Sequence, residues 1–302
     1  MVSAPDSQPP IRVGYVALVG KPNVGKSTLV NALLRFKLSI VTPKPQTTRH
    51  RILGILSEPG CQIILLDTPG LIQPRYALQA AMVRAAERAM AEADVIVCLL
   101  DVSTPLREED LEMIKQVRAG NKSVLIALNK IDLVAKATLL PLIAQLAEQF
   151  PDVEIVPISA LTHDGLEDLK SAIVQRLPEG VPLYPEDQLT EHPERFFVAE
   201  LIREKIFERY GEEIPYATTV QIEEFKERAE GKDFISARII VERPSQKAIL
   251  IGKGGQALKE LGKAARLAIE QFLGRQVFLK LWVAAREKWR SDETLLREYG
   301  YR

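Results

Sequence analysis

The stretch Val13-Gly-Tyr-Val-Ala-Leu-Val-Gly-Lys-Pro-Asn-Val-Gly-Lys-Ser27 decides the fold of this chain. It opens with an apolar run of strand length and ends in the pattern GxxxxGK[ST] of a phosphate-binding loop. In such a loop the glycines let successive backbone N–H groups turn inward, and the following helix adds its partial positive charge. We therefore expect a strand, a phosphate-binding loop and a helix in this order. A chance glycine-rich turn is the alternative.

Short apolar runs alternate with amphipathic segments of helical period as far as about Leu177. The runs of strand length are Val13–Val19, Ile52–Leu56, Gln62–Leu66, Val95–Leu100, Val124–Leu128 and Glu154–Ile158. Strands separated by helices, several of them apolar throughout, indicate a mainly parallel sheet that is covered on both faces. The first part of the chain is therefore predicted to have an α/β fold of the nucleotide-binding type.

A proline-rich stretch at Pro178–Pro185 separates this region from a second one, because its three prolines and one glycine disfavour helix and strand alike. The elements predicted beyond it are a helix at Arg195–Tyr210, strands at Ala217–Phe225 and Ile235–Glu242, helices at Ser245–Ile251 and Gln256–Phe272, and a strand at Val277–Val283. The predicted divisions are a flexible N-terminus (1–12), a first domain (13–178), a linker (179–193) and a second domain with its tail (194–302).

The composition is that of an ordinary globular protein. Its 302 residues include 40 basic and 40 acidic side chains, and the length suggests two domains. Cys61 and Cys98 are too few for a disulfide framework or a four-cysteine zinc site, so we expect buried thiols in a reducing cytoplasm and no disulfide-linked partner. No apolar stretch approaches the roughly 20 residues of a membrane helix, and the first residues lack a signal-peptide pattern. We therefore expect neither secretion nor membrane spanning.

The balanced net charge hides an uneven distribution. Residues 181–233 hold 7 basic and 14 acidic side chains, whereas residues 234–302 hold 14 basic and 7 acidic ones. A basic segment at the C-terminal end predicts a polyanionic partner. The alternative is that the two segments pair with each other inside one domain.

Two motifs extend the phosphate-binding loop towards a metal ion and the terminal phosphate. Lys26 is expected to reach the β- and γ-phosphates and Ser27 to bind Mg²⁺. The sequence Asp67-Thr-Pro-Gly70 follows a predicted strand, so Asp67 would hold Mg²⁺ through water and Gly70 would sense the γ-phosphate. On its own this second motif is also an ordinary turn, but its position after the loop favours the functional interpretation.

A third motif, Asn129-Lys-Ile-Asp132, predicts recognition of guanine. The Asp132 carboxylate can accept hydrogen bonds from N1–H and N2–H₂ of guanine, a donor pair that adenine lacks, and an unpaired carboxylate would disfavour adenine. Lys130 would pack along the purine, Asn129 would brace the loop, and Ser159-Ala160 would offer the Ala160 N–H to guanine O6. The predicted GTP-binding residues are Gly20, Lys21, Pro22, Asn23, Val24, Gly25, Lys26, Ser27, Thr28, Asp67, Gly70, Asn129, Lys130, Asp132, Ser159 and Ala160.

Together with the loop Lys44–His50 and the C-terminal region, these motifs resemble the Era-like family of translation-factor-type P-loop GTPases, over about Gly14 to Arg290. The resemblance implies GTP/GDP and Mg²⁺ as ligands, with catalytic roles for Lys26, Thr48 and Gly70. The implied Mg²⁺ residues are Ser27, Asp67 and Thr48, with Thr47 as the alternative to Thr48. It also implies an α/β P-loop GTPase domain followed by an α+β type II K homology (KH) domain.

Two positions bear on how GTP would be hydrolysed. Leu71 stands where Ras-like enzymes carry the glutamine that orients the attacking water, and Era-like enzymes share this apolar residue, so slow intrinsic turnover is implied. Asn23 resembles the asparagine that helps hold K⁺ near the phosphates in potassium-activated relatives. We expect turnover to be higher in K⁺ than in Na⁺.

The second region carries the loop Gly252-Lys253-Gly254-Gly255 between two predicted helices. In KH modules such a GxxG turn clamps the backbone of single-stranded RNA; as a mere helix-to-helix turn it would be structural. We predict RNA contacts for the four loop residues and for Lys259 and Lys263, on a helix that also carries Arg266. The resemblance implies 16S ribosomal RNA and the 30S subunit as partners, a role in subunit assembly, and a cytoplasmic location with peripheral association at the inner membrane.

Several residues outside the motifs also carry expectations. Trp282 is expected in the core of a strand, and Arg286, Lys288 and Arg290 would extend the basic surface beside Trp289. His50, His163 and His192 are each expected to be surface residues without a task. The alternatives to the main interpretation are a GTPase that acts on another ribosomal or transfer RNA, and an RNA-binding module with a structural, non-hydrolysing nucleotide site.

Overall fold

The computed structural model describes residues 10–301, which form two compact units. The predicted flexible N-terminus therefore lies mostly outside the described residues, and where the structure does describe it, strand β1 already begins at Ile11. Neither unit is one continuous piece of chain. The first comprises the residues up to Ser39, Arg51–Leu71 and Ala85–Glu191, and the second comprises Ile40–His50, Ile72–Arg84 and the residues from His192 onward.

The first unit is a mainly parallel sheet with helices between its strands, as predicted. Its strands are β1 Ile11–Val19, β2 Ile52–Glu58, β3 Cys61–Asp67, β4 Val95–Asp101, β5 Ser123–Asn129, β6 Glu154–Pro157 and β7 Glu179–Gly180. The helices are α1 Lys26–Leu34, α2 Ala77–Glu92, α3 Glu108–Arg118, α4 Lys136–Gln149 and α5 Leu166–Arg176, with the α2 residues up to Arg84 grouped with the second unit. The strand order is β2-β3-β1-β4-β5-β6, and among the described strands β2 is antiparallel to β3, β7 is antiparallel to β1, and the other pairs are parallel.

The sheet is buried because its central strands are apolar on both faces. All seven residues of β3 are buried, and in β4 only the last residue, Asp101, is partly exposed. Continuous apolar strands of this kind require cover on both sides, which the intervening amphipathic helices provide. Cys61 and Cys98 lie within these strands, and burial raises the pKa of the Cys98 thiol to about 12.

The proline-rich stretch after α5 is more ordered than the sequence indicated. Glu179 and Gly180 form the short strand β7, which pairs antiparallel with Arg12 and Ile11. Tyr184 packs against the apolar core, and the Gln62 side chain bonds with the backbone of residues 183 and 184. Proline lacks a backbone N–H and therefore interrupts helices and long strands, but the two residues of β7 are not prolines and can pair.

The second unit is a three-stranded sheet with helices, in the order helix, strand, strand, helix, helix, strand that the sequence predicted. Its elements are α6 Glu194–Arg209, β8 Thr219–Lys226, β9 Asp233–Val241, α7 Pro244–Ile251, α8 Gln256–Leu273, β10 Val277–Ala285 and α9 Glu293–Glu298. The strand order is β10-β9-β8, with β9 parallel to β10 and antiparallel to β8. The terminal helix α9 was not predicted.

One face of this sheet carries the core of the second unit. Ile235, Ala237, Ile239 and Val241 alternate along β9 and pack with Leu261 of α8 and other apolar residues. At one end of the opposite face, Ile240 is buried in a smaller cluster formed by the tail and the start of α2. That cluster consists of Leu78, Ala81, Met82, Ile240, Trp289, Leu296, Tyr299 and Tyr301.

Two basic side chains, Arg49 and Lys44, bind residues 40–50 to the rest of the second unit. The Arg49 guanidinium, 3% exposed, donates to the backbone carbonyls of Thr218 at 2.7 Å, Pro215 at 2.9 Å and Tyr216 at 3.1 Å. Lys44 donates to two carbonyls at the C-terminal end of α6, where a cation also favours the helix dipole. The sequence assigned this whole segment to the first domain.

No helix in residues 10–301 combines the length and apolar character needed to cross a lipid bilayer.

Candidate functional site

The nucleotide motifs of the first unit meet because their strands are parallel. Asp67 ends β3, Asp101 ends β4, Asn129 ends β5, and the phosphate-binding loop follows β1. In an open parallel sheet, ligands bind outside the carboxyl ends of the strands, where these residues lie.

Lys26 is held inside the phosphate-binding loop by the loop's own backbone. Its Nζ donates to the carbonyl oxygens of Gly20 at 3.0 Å and Lys21 at 2.9 Å, and the residue is 6% exposed. Burial lowers the pKa of Lys26 to about 8, although the charge of Asp67 acts in the opposite direction. A buried cation with only neutral acceptors is suited to receive a phosphate oxygen.

Ser27 and Asp67 form a fitting pair for a magnesium ion. The Ser27 hydroxyl donates to Asp67 Oδ2 at 2.7 Å, whereas Asp67 Oδ1 has no hydrogen-bond partner among the described residues. The carboxylate is fully buried, and burial raises its pKa although Ser27 and Lys26 oppose the shift. A buried carboxylate oxygen without a donor is an unfavourable arrangement that a hard cation would relieve.

Gly70 and Leu71 lie directly against the phosphate-binding loop. A Cβ atom added to Gly70 would come within 2.7 Å of the Pro22 nitrogen, so no other residue fits there without displacing the backbone. The Leu71 N–H donates to the Gly20 carbonyl at 3.2 Å. This contact ties the predicted γ-phosphate sensor to the loop.

Asn129 connects three loops through its side-chain amide. Its Nδ2 donates to the Val24 carbonyl at 2.7 Å, and its Oδ1 accepts from the Ala160 N–H at 2.9 Å. The predicted bracing contact is therefore present. The sequence assigned the Ala160 N–H to guanine O6, but in the structure this N–H donates to Asn129. The buried side-chain amide of Asn129 needs an acceptor for its N–H and a donor for its oxygen, and Ala160 is that donor.

Asp132 is placed at the surface with one carboxylate oxygen already oriented. The Ser159 hydroxyl donates to Asp132 Oδ1 at 2.6 Å and accepts from the Thr162 N–H at 3.1 Å. Ser159 is fully buried, so it fixes the direction of the exposed carboxylate. The structure thus brings the predicted guanine acceptor and Ser159 together.

Two side chains of this edge depart from the sequence analysis. Asp101, which the sequence analysis missed, forms an ion pair with Lys130; burial alone would raise the pKa of Asp101, but hydrogen bonds from Lys130 and Ser103 lower it. An aspartate at the end of an apolar strand was the available signal. The Lys21 ammonium is paired with Glu109 at 3.0 Å and Asp110 at 2.9 Å, away from the interior of the loop. The Lys21 carbonyl does face the interior, where it accepts from Lys26.

The two threonines of the predicted switch belong to the second unit. Thr47 and Thr48 are each 8% exposed. The Thr47 hydroxyl lies 2.6 Å from Thr42 Oγ1 and 2.8 Å from the Lys44 carbonyl, and the Thr47 carbonyl accepts from Arg203. The Thr47 hydroxyl is thus engaged inside its own segment, and the assignment of Thr48 to Mg²⁺, with Thr47 as the alternative, stays a prediction.

The loop Gly252–Gly255 of the second unit has an exposed, unusual backbone. Gly252, Gly254 and Gly255 have φ angles of 71°, 59° and 79°, a region that favours glycine. No atom lies within 4 Å of where a side chain at Gly254 or Gly255 would start. The backbone is therefore open to a ligand, and the start of α8 adds its positive dipole.

A groove of about 640 Å³ runs from this loop between α8 and the edge strand β10. Its basic residues include Lys259, Lys263 and Arg266, and its apolar residues include Leu258 and Phe278. The structure thus places Gly255 and both predicted lysines of α8 in one groove. Phe278 was missed because strand periodicity alone does not indicate that β10 lies at an edge.

The charge of the second unit is partly used internally. Arg275 pairs with Glu194 and Asp233, and Arg238 pairs with Glu223, as the alternative reading of the charge pattern expected. Among the described residues, by contrast, Lys253, Lys259 and Lys263 form no ion pair. The basic groove is therefore left with uncompensated charge.

The expectations for four aromatic residues need correction. Trp282 is 37% exposed, because its position in β10 faces away from the core, whereas Trp289 is fully buried in the tail cluster and cannot extend a surface. His50 stacks on Tyr301 at 4.5 Å between ring centroids, and burial lowers its pKa to about 4. His192 likewise stacks on Phe196.

Comparison with family models places each unit in a known class. Residues 15–130 match the model described as a 50S ribosome-binding GTPase, and residues 213–290 match the KH domain model.

Several relatives match nearly the full chain. GTPase Era of Geobacter metallireducens is 46% identical over 98% of this chain and 99% of its own length. The chloroplastic ERA-like GTPase of Arabidopsis thaliana is 48% identical over 96% of this chain and 69% of its own length.

A solved structure agrees with these relatives. The crystal structure of Era in complex with MgGDPNP and nucleotides 1506–1542 of 16S ribosomal RNA has a TM-score of 0.93 and 44% identity, and it covers 96% of this chain and 99% of the other. An Era variant from Aquifex aeolicus bound to GDP and aluminium fluoride gives the same TM-score of 0.93. From these full-length similarities it follows that the chain belongs to the Era family of GTPases.

Proposed function

We propose that this protein is a GTP-hydrolysing switch that binds the end of 16S ribosomal RNA through its GxxG loop and assists assembly of the 30S subunit. The observation that carries the proposal is that one chain combines a prearranged nucleotide site with an open glycine loop beside a groove of unpaired lysines. The similar Era structure that contains both MgGDPNP and 16S ribosomal RNA supports this pairing of ligands.

The nucleotide site can bind and orient GTP with few rearrangements. The Lys26 ammonium would exchange its contacts with the Gly20 and Lys21 carbonyls for phosphate oxygens. Ser27 and Asp67 would hold Mg²⁺, which neutralises phosphate charge, and Thr48 is proposed as a further ligand. Asp132, oriented by Ser159, would accept the guanine donors and select the base.

Water activation is the step for which this chain lacks the usual side chain. The Leu71 side chain cannot hydrogen-bond a water molecule. Gly70 and the backbone beside the phosphate-binding loop would therefore position the reacting phosphate but not the attacking water. Asn23 is exposed at the tip of the loop with a φ of 65°, and we propose that it would help hold K⁺ there. We expect faster GTP turnover in K⁺ than in Na⁺ at equal ionic strength, and equal rates would refute the role of Asn23.

The GxxG groove would bind a single RNA strand. KH modules clamp about four nucleotides at this loop, and the groove beside α8 offers lysines for the phosphates and apolar side chains for the bases. We further infer a cytoplasmic location with peripheral association at the inner membrane, on the family resemblance alone.

The decisive experiment combines RNA crosslinking with GTP turnover. The purified protein would be crosslinked to ribosomal RNA in the presence of a non-hydrolysable GTP analogue, and the attached RNA sequenced. Reads confined to the 3′ end of 16S RNA are expected. Reads in 23S or transfer RNA would favour a GTPase that acts on another RNA, and GTP hydrolysis no faster than in a Lys26→Ala variant would favour a non-hydrolysing site.

A further inference from the structure

The sheet of the second unit leaves part of its outer face uncovered. Because side chains alternate along a strand, residues 278, 280 and 282 of β10 point away from the core, beside residues 234, 236 and 238 of β9. The next pair in this register is Ala284 and Ile240, and there the tail cluster covers the sheet. We call the part that the tail cluster leaves open, Phe234, Ser236, Arg238, Phe278, Lys280 and Trp282, the open sheet face; the small side chain of Ser236 is buried between its neighbours.

Aromatic rings occupy both ends of the open sheet face. Phe278 is 56% exposed and Trp282 is 37% exposed. The Phe278 ring stacks beside Phe234, with ring centroids 5.9 Å apart and an interplanar angle of 12°. Large exposed aromatic side chains grouped in this way mark an interaction site more often than a neutral surface.

The rings are held in fixed orientations before any ligand arrives. The Trp282 Nε1–H donates to Glu223 Oε2 at 2.6 Å, and the Arg238 guanidinium lies 5.4 Å from the centroid of the Trp282 ring. Glu223, the acidic group nearest to the tryptophan, is thereby occupied by Trp282 and Arg238. Prearranged rings lose little conformational entropy when a flat ligand stacks on them.

The charged residues of this face on β9 and β10 are basic, and the one carboxylate that the register of β8 places opposite Ser236, Glu224, is paired with Lys226. Lys280 lies between the two aromatic positions on the same strand, and Lys232 precedes β9 at the end next to Phe278. Aromatic rings interleaved with basic side chains on a sheet are the arrangement that proteins use for single-stranded nucleic acid, with bases stacked on rings and phosphates on cations. The lysine between the rings favours a ligand that carries phosphates over an apolar protein surface.

The open sheet face is continuous with the RNA groove. Phe278 and Lys232 line the groove that contains Gly255, Lys259 and Lys263, and Phe278 also belongs to the open face. This is possible because β10 is an edge strand, so one side chain can border the groove and the outer face together. An RNA strand that leaves the groove at this end would therefore contact Phe278 before the rest of the open sheet face.

We propose that the open sheet face is a second binding surface for single-stranded RNA, which stacks bases adjoining those held at the GxxG loop. The proposal rests on the proposed function, because it needs a strand in the groove. Phe278 and Trp282 are four positions apart on β10, about 13 Å at roughly 3.3 Å per residue. That spacing is longer than one nucleotide step, so the two rings would stack bases that are not adjacent in the RNA, with Lys280 near the phosphates between them.

Affinity as a function of RNA length tests this surface. The full-length native protein should bind a four-nucleotide RNA weakly and gain affinity when the RNA is extended on one side. A Trp282→Ala variant should lose about tenfold of that gain and keep the affinity for the short RNA, because Trp282 does not line the groove. Leu140→Ala, at a leucine of the first unit that is 71% exposed, is the matched control and should behave as the native protein.

Tryptophan fluorescence gives an independent readout. The chain has two tryptophans, of which Trp289 is fully buried and donates to the Ala217 carbonyl, so RNA can reach only Trp282 directly. Extended RNA should quench the emission of the native protein, and the short RNA should not. A Trp282→Phe variant should retain the affinity for extended RNA and lose the quenching.

The outcomes separate this proposal from the proposed function. If the native protein binds no short RNA, the groove assignment fails. If short RNA binds but extension brings no affinity gain, or the Trp282→Ala variant weakens both RNAs equally, the open sheet face is not a binding surface. Unchanged native fluorescence at saturating extended RNA would lead to the same conclusion.

Discussion

The nucleotide site and the RNA groove recognise phosphate in opposite ways. In the first unit the polar groups are buried and fixed: Lys26, Asp67 and Asn129 are 6%, 0% and 2% exposed, and each bonds to a neighbouring loop or side chain. In the second unit Lys253, Lys259 and Lys263 are exposed, and the fixed element is a glycine backbone. The first arrangement selects one molecule, whereas the second accepts a strand by shape and charge.

The largest effect is expected where a fixed side chain selects the base. In Asp132→Asn the amide would donate where the carboxylate accepts, so preference should move from GTP to xanthosine triphosphate. We expect a change in the ratio of the two affinities of roughly 10⁴-fold. Competition binding with both nucleotides measures this ratio, and unchanged GTP selectivity would remove Asp132 from the guanine site.

A smaller effect is expected when charge is reversed at the glycine loop. Lys253→Asp combined with Gly254→Asp should weaken RNA binding roughly 100-fold, because two carboxylates would face the RNA phosphates. Aspartate tolerates the left-handed backbone of Gly254 better than most residues, so the loop should persist. RNA and GTP titrations of the same sample test the comparison, and a loss of GTP affinity would show that the sites are not separable as described.

The buried state of Lys26 predicts a pH dependence of nucleotide binding. Its lowered pKa of about 8 means that the free protein loses this proton above pH 8. Phosphate binding favours the charged form, so nucleotide binding takes up a proton and affinity falls as pH rises, about fivefold between pH 8 and pH 9. Calorimetric affinities across this range measure the effect.

Lys26→Arg is the control for that titration, since a guanidinium stays charged throughout the range. Any fall that remains in the variant belongs to the nucleotide itself. A native protein that loses no more affinity than this variant would contradict the assignment of the titration to Lys26.

The smallest effect is expected at Lys21, which is basic and lies in the phosphate-binding loop. Because its ammonium is paired with Glu109 and Asp110, Lys21→Ala should change GTP affinity by less than about threefold. Equilibrium titration with GDP and GTP checks this, and a loss comparable to that of Lys26→Ala would mean that the side chain turns inward when nucleotide binds.

The sequence predicts most of the first unit because its motifs are local. A phosphate-binding loop needs its residues within one turn of chain, and the carboxyl ends of parallel strands necessarily share an edge, so Lys26, Asp67 and Asn129 could be placed together. The element bounds of the second unit likewise lie close to the predicted ones. The spacing of apolar residues along the sequence indicates where each helix and strand lies, so this part of the fold could be predicted.

The misplaced residues depend on contacts between distant parts of the chain. Trp282 was predicted to be buried and is exposed, whereas Trp289 was predicted beside a basic surface and is buried. The tail and α2 cover one part of the sheet, and the sequence did not indicate which part. His50 is stacked on Tyr301, 251 positions later in the sequence. The partner of the Ala160 N–H was missed for the same reason, as it lies on another loop.

The three carbonyls that Arg49 satisfies have a practical consequence for dissecting the protein. An RNA-binding fragment cut at residue 192 would lack residues 40–50 and 72–84, and it would leave the oxygens of residues 215, 216 and 218 without that donor. Such a fragment should melt gradually, whereas the intact polypeptide should melt cooperatively, and a sharp calorimetric transition of the fragment would disprove this. The RNA-binding unit consists of three separate segments of the chain, so we expect that a single C-terminal fragment does not reproduce its stability.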